Sequence, residues 1–455
     1  MLDVMDNKEL IEKQYKKMTE TPILKLLVSL AIPTIISMLV TSVYSMADTA
    51  FVGKFGTSAS GATGVVFGFM SILQATGFFF GQGCGSILSR ELGAGKVGDA
   101  SETASTGFFL ALFSSIIVVT LSFLNLDRLI EILGSTPTIA PYAKTYISYI
   151  LVAAPFIVTS FTLNNILRYE GKAKLGAIGM MVGALLNIAG DPILMYGCGM
   201  GIAGAGLATA TSQIIGFCIL LSMFLRGKTQ THLSIKLFTR RLGKIADIAG
   251  TGLPSLLRQS LGSISVIILN YFAKVYGDQA IAAMSIVSRT SFVVFALALG
   301  TGQGFQPISS FNYGARKYNR VREAYKVTCI VASIIITVLS IGAYILAPDI
   351  IKMLRDDPEV IEIGVRALRL QLIAQLVLPM CMVTEMLLQT TGNKASASLL
   401  SSCRSGFIFI PLLIVMSLTR GLAGIQEAQP LAYILNLIPS IYFAKRFFCK
   451  LREME

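Results

Sequence analysis

The sequence predicts an all-α polytopic membrane protein: twelve transmembrane helices in two six-helix bundles, related by a pseudo-twofold axis along the membrane normal. Three observations predict it. The composition suits lipid, since 54% of the 455 residues are hydrophobic and 14% charged, and mean hydropathy is +0.70, well above soluble globular usage. Apolar runs long enough to cross about 30 Å of hydrocarbon, roughly 20 residues each, recur along the chain. Residues 33 to 102 reappear without a gap 221 residues further on, and so long a period means a duplicated domain rather than a solenoid.

In order, the runs lie near 24–47, 59–83, 102–124, 143–167, 175–197 and 203–225, then 248–273, 280–305, 325–347, 363–390, 397–418 and 424–444. The duplication aligns Pro33 with Pro254, Gly56 with Gly277, Gly81-Gln82-Gly83 with Gly302-Gln303-Gly304, and Gly93-Ala94 with Gly314-Ala315. A second anchor aligns Gly201-Ile202-Ala203-Gly204 with Gly421-Leu422-Ala423-Gly424 at an offset of 220. The expected domains are an N-terminal bundle over 1–225, a linker loop over 226–247 and a C-terminal bundle with a short tail over 248–455. Six spans separate equivalent residues, so both halves enter the membrane in the same sense.

Basic residues set the orientation. About 25 Lys and Arg fall at the two termini and at every second loop, against about 7 on the opposite side, which predicts cytoplasmic termini. The same distribution accounts for the net charge of +13 through insertion topology, and so excludes nucleic acid as a partner. The first 22 residues carry mixed charge with no cleavable h-region, so the first span is expected to be retained. Seven scattered cysteines and a single histidine, His232, show no metal-ligand spacing. No His-Glu-x-x-His, Ser-His-Asp set or cytochrome ligand pattern is present, so neither an enzyme nor a resident cofactor is expected.

Acidic side chains inside spans are costly, by about 2.5–3.5 kcal/mol on insertion scales, and each needs a reason. Asp48 in span 1 and Asp191 in span 5 both lie six residues from their span ends, roughly 9 Å inside the boundary. Asn187 lies one turn from Asp191 on the same helical face. Pro192 is expected to interrupt span 5 and free backbone carbonyls there. The second half has Leu269, Phe407 and Pro411 at the places of Asp48, Asn187 and Asp191. Acids that served insertion or packing alone would be expected in both halves, so the pair in the first half is assigned to function.

The second half has other charges. Glu385 in span 10 and Arg404 in span 11 are predicted at one depth, roughly 14 Å above the basic edge, and are expected to pair. Arg258 in span 7 and Arg289 in span 8 are also deep and either bond freed carbonyls or face a cavity. Gly81-Gln82-Gly83 and its twin are read as sites of close helix approach, since no strand precedes them and no Lys-Ser/Thr follows. The span prolines allow kinks that a two-state rocking motion would use.

The motifs Ala31-Ile32-Pro33, Met46-Ala47-Asp48-Thr49-Ala50-Phe51-Val52-Gly53, Leu186-Asn187-Ile188-Ala189-Gly190-Asp191-Pro192-Ile193-Leu194 and Asn312-Tyr313-Gly314-Ala315 resemble the multidrug and toxic compound extrusion (MATE) transporters. The resemblance covers nearly the whole chain. Its most specific part is Asn-x-x-x-Asp-Pro in span 5, and it lies nearest the MepA-like and DinF-like bacterial branches. It implies a first-bundle cation site of Asp48, Asn187, Asp191 and Thr209, holding a proton or sodium ion. Gly262 and Met380 stand where the NorM-like branch has acids, which places coupling in the first bundle. It further implies a monomeric antiporter of the bacterial inner membrane, exporting cationic or amphipathic drug-like compounds by alternating access. The alternative is a flippase for lipids or lipid-linked oligosaccharides, which would need a cavity rich in Arg and Lys.

Overall fold

Long apolar segments separated by short glycine-containing turns leave each stretch of backbone to satisfy its own hydrogen bonds, and in lipid a helix does this. The computed structural model describes residues 2–454 and, among them, contains helices and no strand. An amphipathic helix, α1 (Leu2–Glu20), precedes α2 (Ile23–Gly53), α3 (Thr57–Gly93), α4 (Val97–Leu124), the short α5 (Leu126–Ile132), α6 (Ala140–Tyr169), α7 (Ala173–Pro192) and α8 (Ile202–Leu225). The second half comprises α9 (Leu242–Ala273), α10 (Asp278–Gly314), α11 (Tyr318–Ile345), the short α12 (Ala347–Leu354), α13 (Pro358–Gln375), α14 (Leu378–Thr390), α15 (Lys394–Ser402), α16 (Phe409–Arg420) and α17 (Leu422–Glu453).

Among the described residues, ten helices are long and apolar enough to cross a membrane, and α13 with α14, bent by 50° at the break before Pro379, make an eleventh span. The segment expected as the twelfth span forms the 32-residue α17, but Gln426, Glu427, Gln429 and Asn436 leave it less apolar than the other eleven, and it is not among the helices apolar enough to count as a span. Two spans continue through a wider π-helical turn instead of breaking. One follows α7 at Ile193–Gly197 and the other joins α15 to α16 at Cys403–Phe407. The interruption of span 5 expected at Pro192 is not found: the helix continues past it, and its missing N–H is absorbed by looser winding.

The duplication is visible in backbone angles. Gly56 (φ 111°, ψ 173°) and Gly277 (φ 90°, ψ 174°) start α3 and α10 in the same way, and Gly201 (φ 58°, ψ −135°) matches Gly421 (φ 62°, ψ −136°) before α8 and α17. One pair differs in chemistry. Gly95 has φ 76°, and Arg316, at its twin position, holds the same left-handed conformation with φ 56°. A side chain there is strained by about 1–2 kcal/mol, partly offset by the greater chain entropy of glycine. Arg316 is exposed, so Arg316→Gly is expected to stabilise the protein by about 0.5–1 kcal/mol, read as a higher midpoint in thermal unfolding in detergent.

Packing divides the chain into two compact units. The first contains the N-terminal segment through Met18 together with Ile36–Gly252, and the second contains Thr19–Ile35 together with everything from Leu253 onward. Each unit thus takes in the start of the other half's first long helix, so the boundaries fall inside α2 and α9. The glycine triplets account for this. A Cβ at Gly83 would lie 2.4 Å from the carbonyl oxygen of Ile248 in α9, and one at Gly304 would lie 2.8 Å from Ala31 Cα in α2. Only glycine lets the backbones meet so closely.

The 226–241 segment is fastened to the first unit. Glu170, fully buried just beyond α6, accepts from Gln230 N at 3.0 Å and Thr231 N at 3.0 Å, while Ser101, Ser105 and Thr106 of α4 bond the backbone of His232, Ser234 and Thr239. Burial pushes the Glu170 carboxyl above the ordinary glutamate range, opposed by Lys172 and by the donors of Thr231 and Gln230. The carboxylate thus depends on the very segment it fastens.

Candidate ion site in the first unit

In the first unit α6 is the innermost helix, with 72% of its most apolar stretch buried. Small residues bring α7 and α8 together beside it. A Cβ at Gly183 would lie 3.2 Å from Ser212 O, and one at Gly190 3.3 Å from Ala208 Cβ. This close approach places Asn187 of α7 within 3.0 Å of Thr209 Oγ1 on α8. Asn187 Nδ2 also faces Asp191 Oδ1 at 3.3 Å, one turn along the same helix.

A residue that sequence reasoning missed joins this group to Asp48. Tyr146 of α6 donates its hydroxyl hydrogen to Asp48 Oδ1 at 2.9 Å and lies 3.1 Å from Thr209 Oγ1. A phenol has one hydrogen to give, so Thr209 is the donor in the second bond. The Asn187 amide in turn donates to Thr209. The result is one directed chain, Asn187 to Thr209 to Tyr146 to Asp48, with a branch from Asn187 to Asp191. Four elements contribute, α2, α6, α7 and α8.

Burial sets the electrostatics of the group. Tyr146, Asn187, Asp191 and Thr209 are all at most 3% exposed, whereas Asp48 is half-buried. Two oxygen atoms, Asn187 Oδ1 and Asp191 Oδ2, are buried with no hydrogen-bond donor among the described residues. Buried acceptors are ordinarily satisfied, and a group left open this way points to a function. The arrangement can accept a proton or a small cation at Asp191 and pass a change in polarity along the hydroxyls towards Asp48.

The second unit has no acid at the equivalent positions, which are Leu269, Phe407 and Pro411. Leu269 is buried and Phe407 lies on the outside at the places of Asp48 and Asn187. The charged residues pair differently from the sequence expectation. Glu385 of α14 bonds Arg258 of α9 at 2.7 Å, with both side chains 4% exposed, and Ser401 Oγ lies 2.5 Å from the same carboxylate oxygen. Arg404, expected to be the partner of Glu385, instead lies over the Phe295 ring, 5.0 Å from its centroid. Equal depth had suggested the pair, but the π-helical turn at Cys403–Phe407 changes the direction in which Arg404 projects. Arg289 is exposed.

The comparisons with known proteins agree with this fold. The MatE family profile matches residues 33–193 and 254–415, once in each half. The chain is 26% identical over 417 residues to "Multidrug export protein MepA" of Staphylococcus aureus (strain MSSA476), covering 91% of this chain and 92% of that protein. It is similar in fold to a multidrug resistance MATE family transporter of the MOP superfamily, solved in an outward-facing conformation, with a TM-score of 0.91, 24% identity, and 97% and 99% of the two chains covered. A MOP superfamily transporter from Pyrococcus furiosus is similar to the same extent, with a TM-score of 0.90, 24% identity, and 97% and 99% coverage. With the repeat matched in both halves and the helical fold shared over nearly the whole chain, this protein belongs to the MatE family of membrane transporters.

Proposed function

We propose that this protein is a secondary active exporter of small cationic or amphipathic organic compounds, driven by inward flow of an ion through the first-unit site. The observation that carries the reading is the pair of open buried acceptors, Asn187 Oδ1 and Asp191 Oδ2, at the end of the chain that runs through Thr209 and Tyr146 to Asp48. The two hydroxyls in series beside Asp48, those of Tyr146 and Thr209, suit a proton better than sodium, because a hydroxyl can both give and accept a hydrogen as the carboxylate changes its protonation, while the Asn187 amide donates to both Thr209 and Asp191. The export direction and the substrate class are supported by similarity to MepA. Similarity to MepA and the distribution of basic residues support a bacterial inner membrane with both termini cytoplasmic. In the second half, Arg258 is engaged by Glu385, which leaves no cluster of free positive charge for a pyrophosphate-linked lipid.

Export and coupling are tested together in inverted membrane vesicles containing the full chain. Ethidium is expected to accumulate when the vesicle interior is acid, and to stay outside when a sodium gradient is imposed alone. Accumulation driven by sodium alone would replace the proton with sodium and leave export standing. No accumulation under either gradient would overturn export itself.

A further inference from the structure

The second unit also has a pocket at the position that the duplication pairs with Asp48. Ser265 and Leu269 of α9, Ser288 of α10, Arg404, Phe409 and Gln429 of α17 line a cavity of about 40 Å³. Leu269 takes the place of Asp48 at the 221 offset, and Gln429 that of Thr209 at the 220 offset. Where the first unit has the Asp48 carboxylate the second has an apolar side chain, and the Arg404 guanidinium lies beside it.

Charge counting shows that the guanidinium is uncompensated. Among the described residues the second unit buries three charged side chains, Arg258, Arg404 and Glu385. Glu385 is bonded to Arg258. Arg404 is 4% exposed, and its Nη1 has no hydrogen-bond partner among the described residues. The Phe295 ring face favours a cation but does not neutralise it. A net positive charge held out of water is costly unless a counter-charge reaches it.

We propose that this pocket is a monoanion site, in which the Arg404 guanidinium, with the Ser288 hydroxyl and the Gln429 amide beside it, binds one carboxylate or one small inorganic anion. The cavity, about 40 Å³, has room beside Arg404 for a carboxylate or a halide. A carboxylate source deepens the export reading and rests on it, because the passengers then include zwitterionic amphiphiles whose acid group docks at Arg404. A halide source is independent of export.

The test uses full-length protein in lipid nanodiscs. Rhodamine 110 has a free carboxylate, and rhodamine 123 is its methyl ester. The wild type is expected to bind the acid more tightly than the ester by about tenfold or more, as a charge-assisted bidentate contact requires. Arg404→Gln is expected to abolish that preference, and Arg404→Lys to retain part of it. In parallel, melting is followed with a thiol-reactive dye in HEPES buffer without and with added sodium chloride, so that no carboxylate anion is present in either arm. Chloride is expected to raise the melting temperature of the wild type and not of Arg404→Gln. Loss of the acid preference in Arg404→Gln assigns the site to the passenger's carboxylate; chloride stabilisation lost in Arg404→Gln with an unchanged dye ratio assigns it to the inorganic anion. An unchanged ratio together with identical chloride responses overturns the site. If neither dye binds the wild type, the export reading is what fails, and the chloride arm decides the anion site by itself.

Discussion

Asp191→Asn is expected to reduce gradient-driven efflux to the level of vesicles without the protein, while insertion and thermal stability stay near those of the wild type. The amide keeps the volume of the carboxylate and can keep its bond from Asn187, which reaches Asp191 Oδ1 at 3.3 Å. What changes is Oδ2, now a buried acceptor without a donor, which becomes an amide nitrogen that cannot take up a proton. Asp48→Asn should give the same outcome, since its Oδ1 can still accept from Tyr146 and only the charge is lost. Tyr146→Phe distinguishes the chain from two independent acids. It removes the link between Asp48 and Thr209 while leaving both carboxylates, and it should lower coupled efflux without altering passenger binding. Normal coupled efflux in both Asp variants would exclude the first-unit site.

Glu385→Gln is expected to act on stability instead. Arg258 and Glu385 are both 4% exposed at the side chain and 2.7 Å apart. Removing the acid strips a buried guanidinium of its counter-charge, at a cost on the order of 3–5 kcal/mol. Adding Arg258→Gln should recover much of that loss beyond its effect on the wild type, whereas Arg404→Gln should change the Glu385→Gln variant no more than it changes the wild type, because Arg404 rests on Phe295 and not on the carboxylate. Denaturation midpoints of the single variant and the two double variants check this. Equal recovery by both second changes would contradict the pairing seen here.

Most of the architecture was legible because lipid makes sequence informative. The spans, the duplication and the three polar residues Asp48, Asn187 and Asp191 stand out because a polar group in hydrocarbon needs a reason. Tyr146 gave no such signal. It is one of 15 tyrosines, and a phenol is tolerated in a span wherever its hydroxyl finds a partner, so its role appears only once α2, α6 and α8 are in place. The Glu385–Arg404 expectation failed for a geometric reason. Rise per residue gives the height of a side chain but not the direction in which it points, and the 50° bend before α14 and the π-helical turn at Arg404 both alter direction. The limits of the packed units were likewise hidden, because hydropathy shows that α2 and α9 cross lipid but not against which neighbours each end lies.

The lending of helix starts between the two units bears on how such a chain arose. Thr19–Ile35 packs with the second unit, and the start of α9 through Gly252 packs with the first. A single-copy ancestor with this arrangement would be incomplete as a monomer, lacking the arm that covers its own Gly83-type surface. It would close by exchanging arms with an identical copy, as swapped dimers do. Joining two such copies in one chain turns a reciprocal loan between molecules into one within a molecule. Within one chain the two copies need not match, and here one has acids at its polar centre while the other has Arg404.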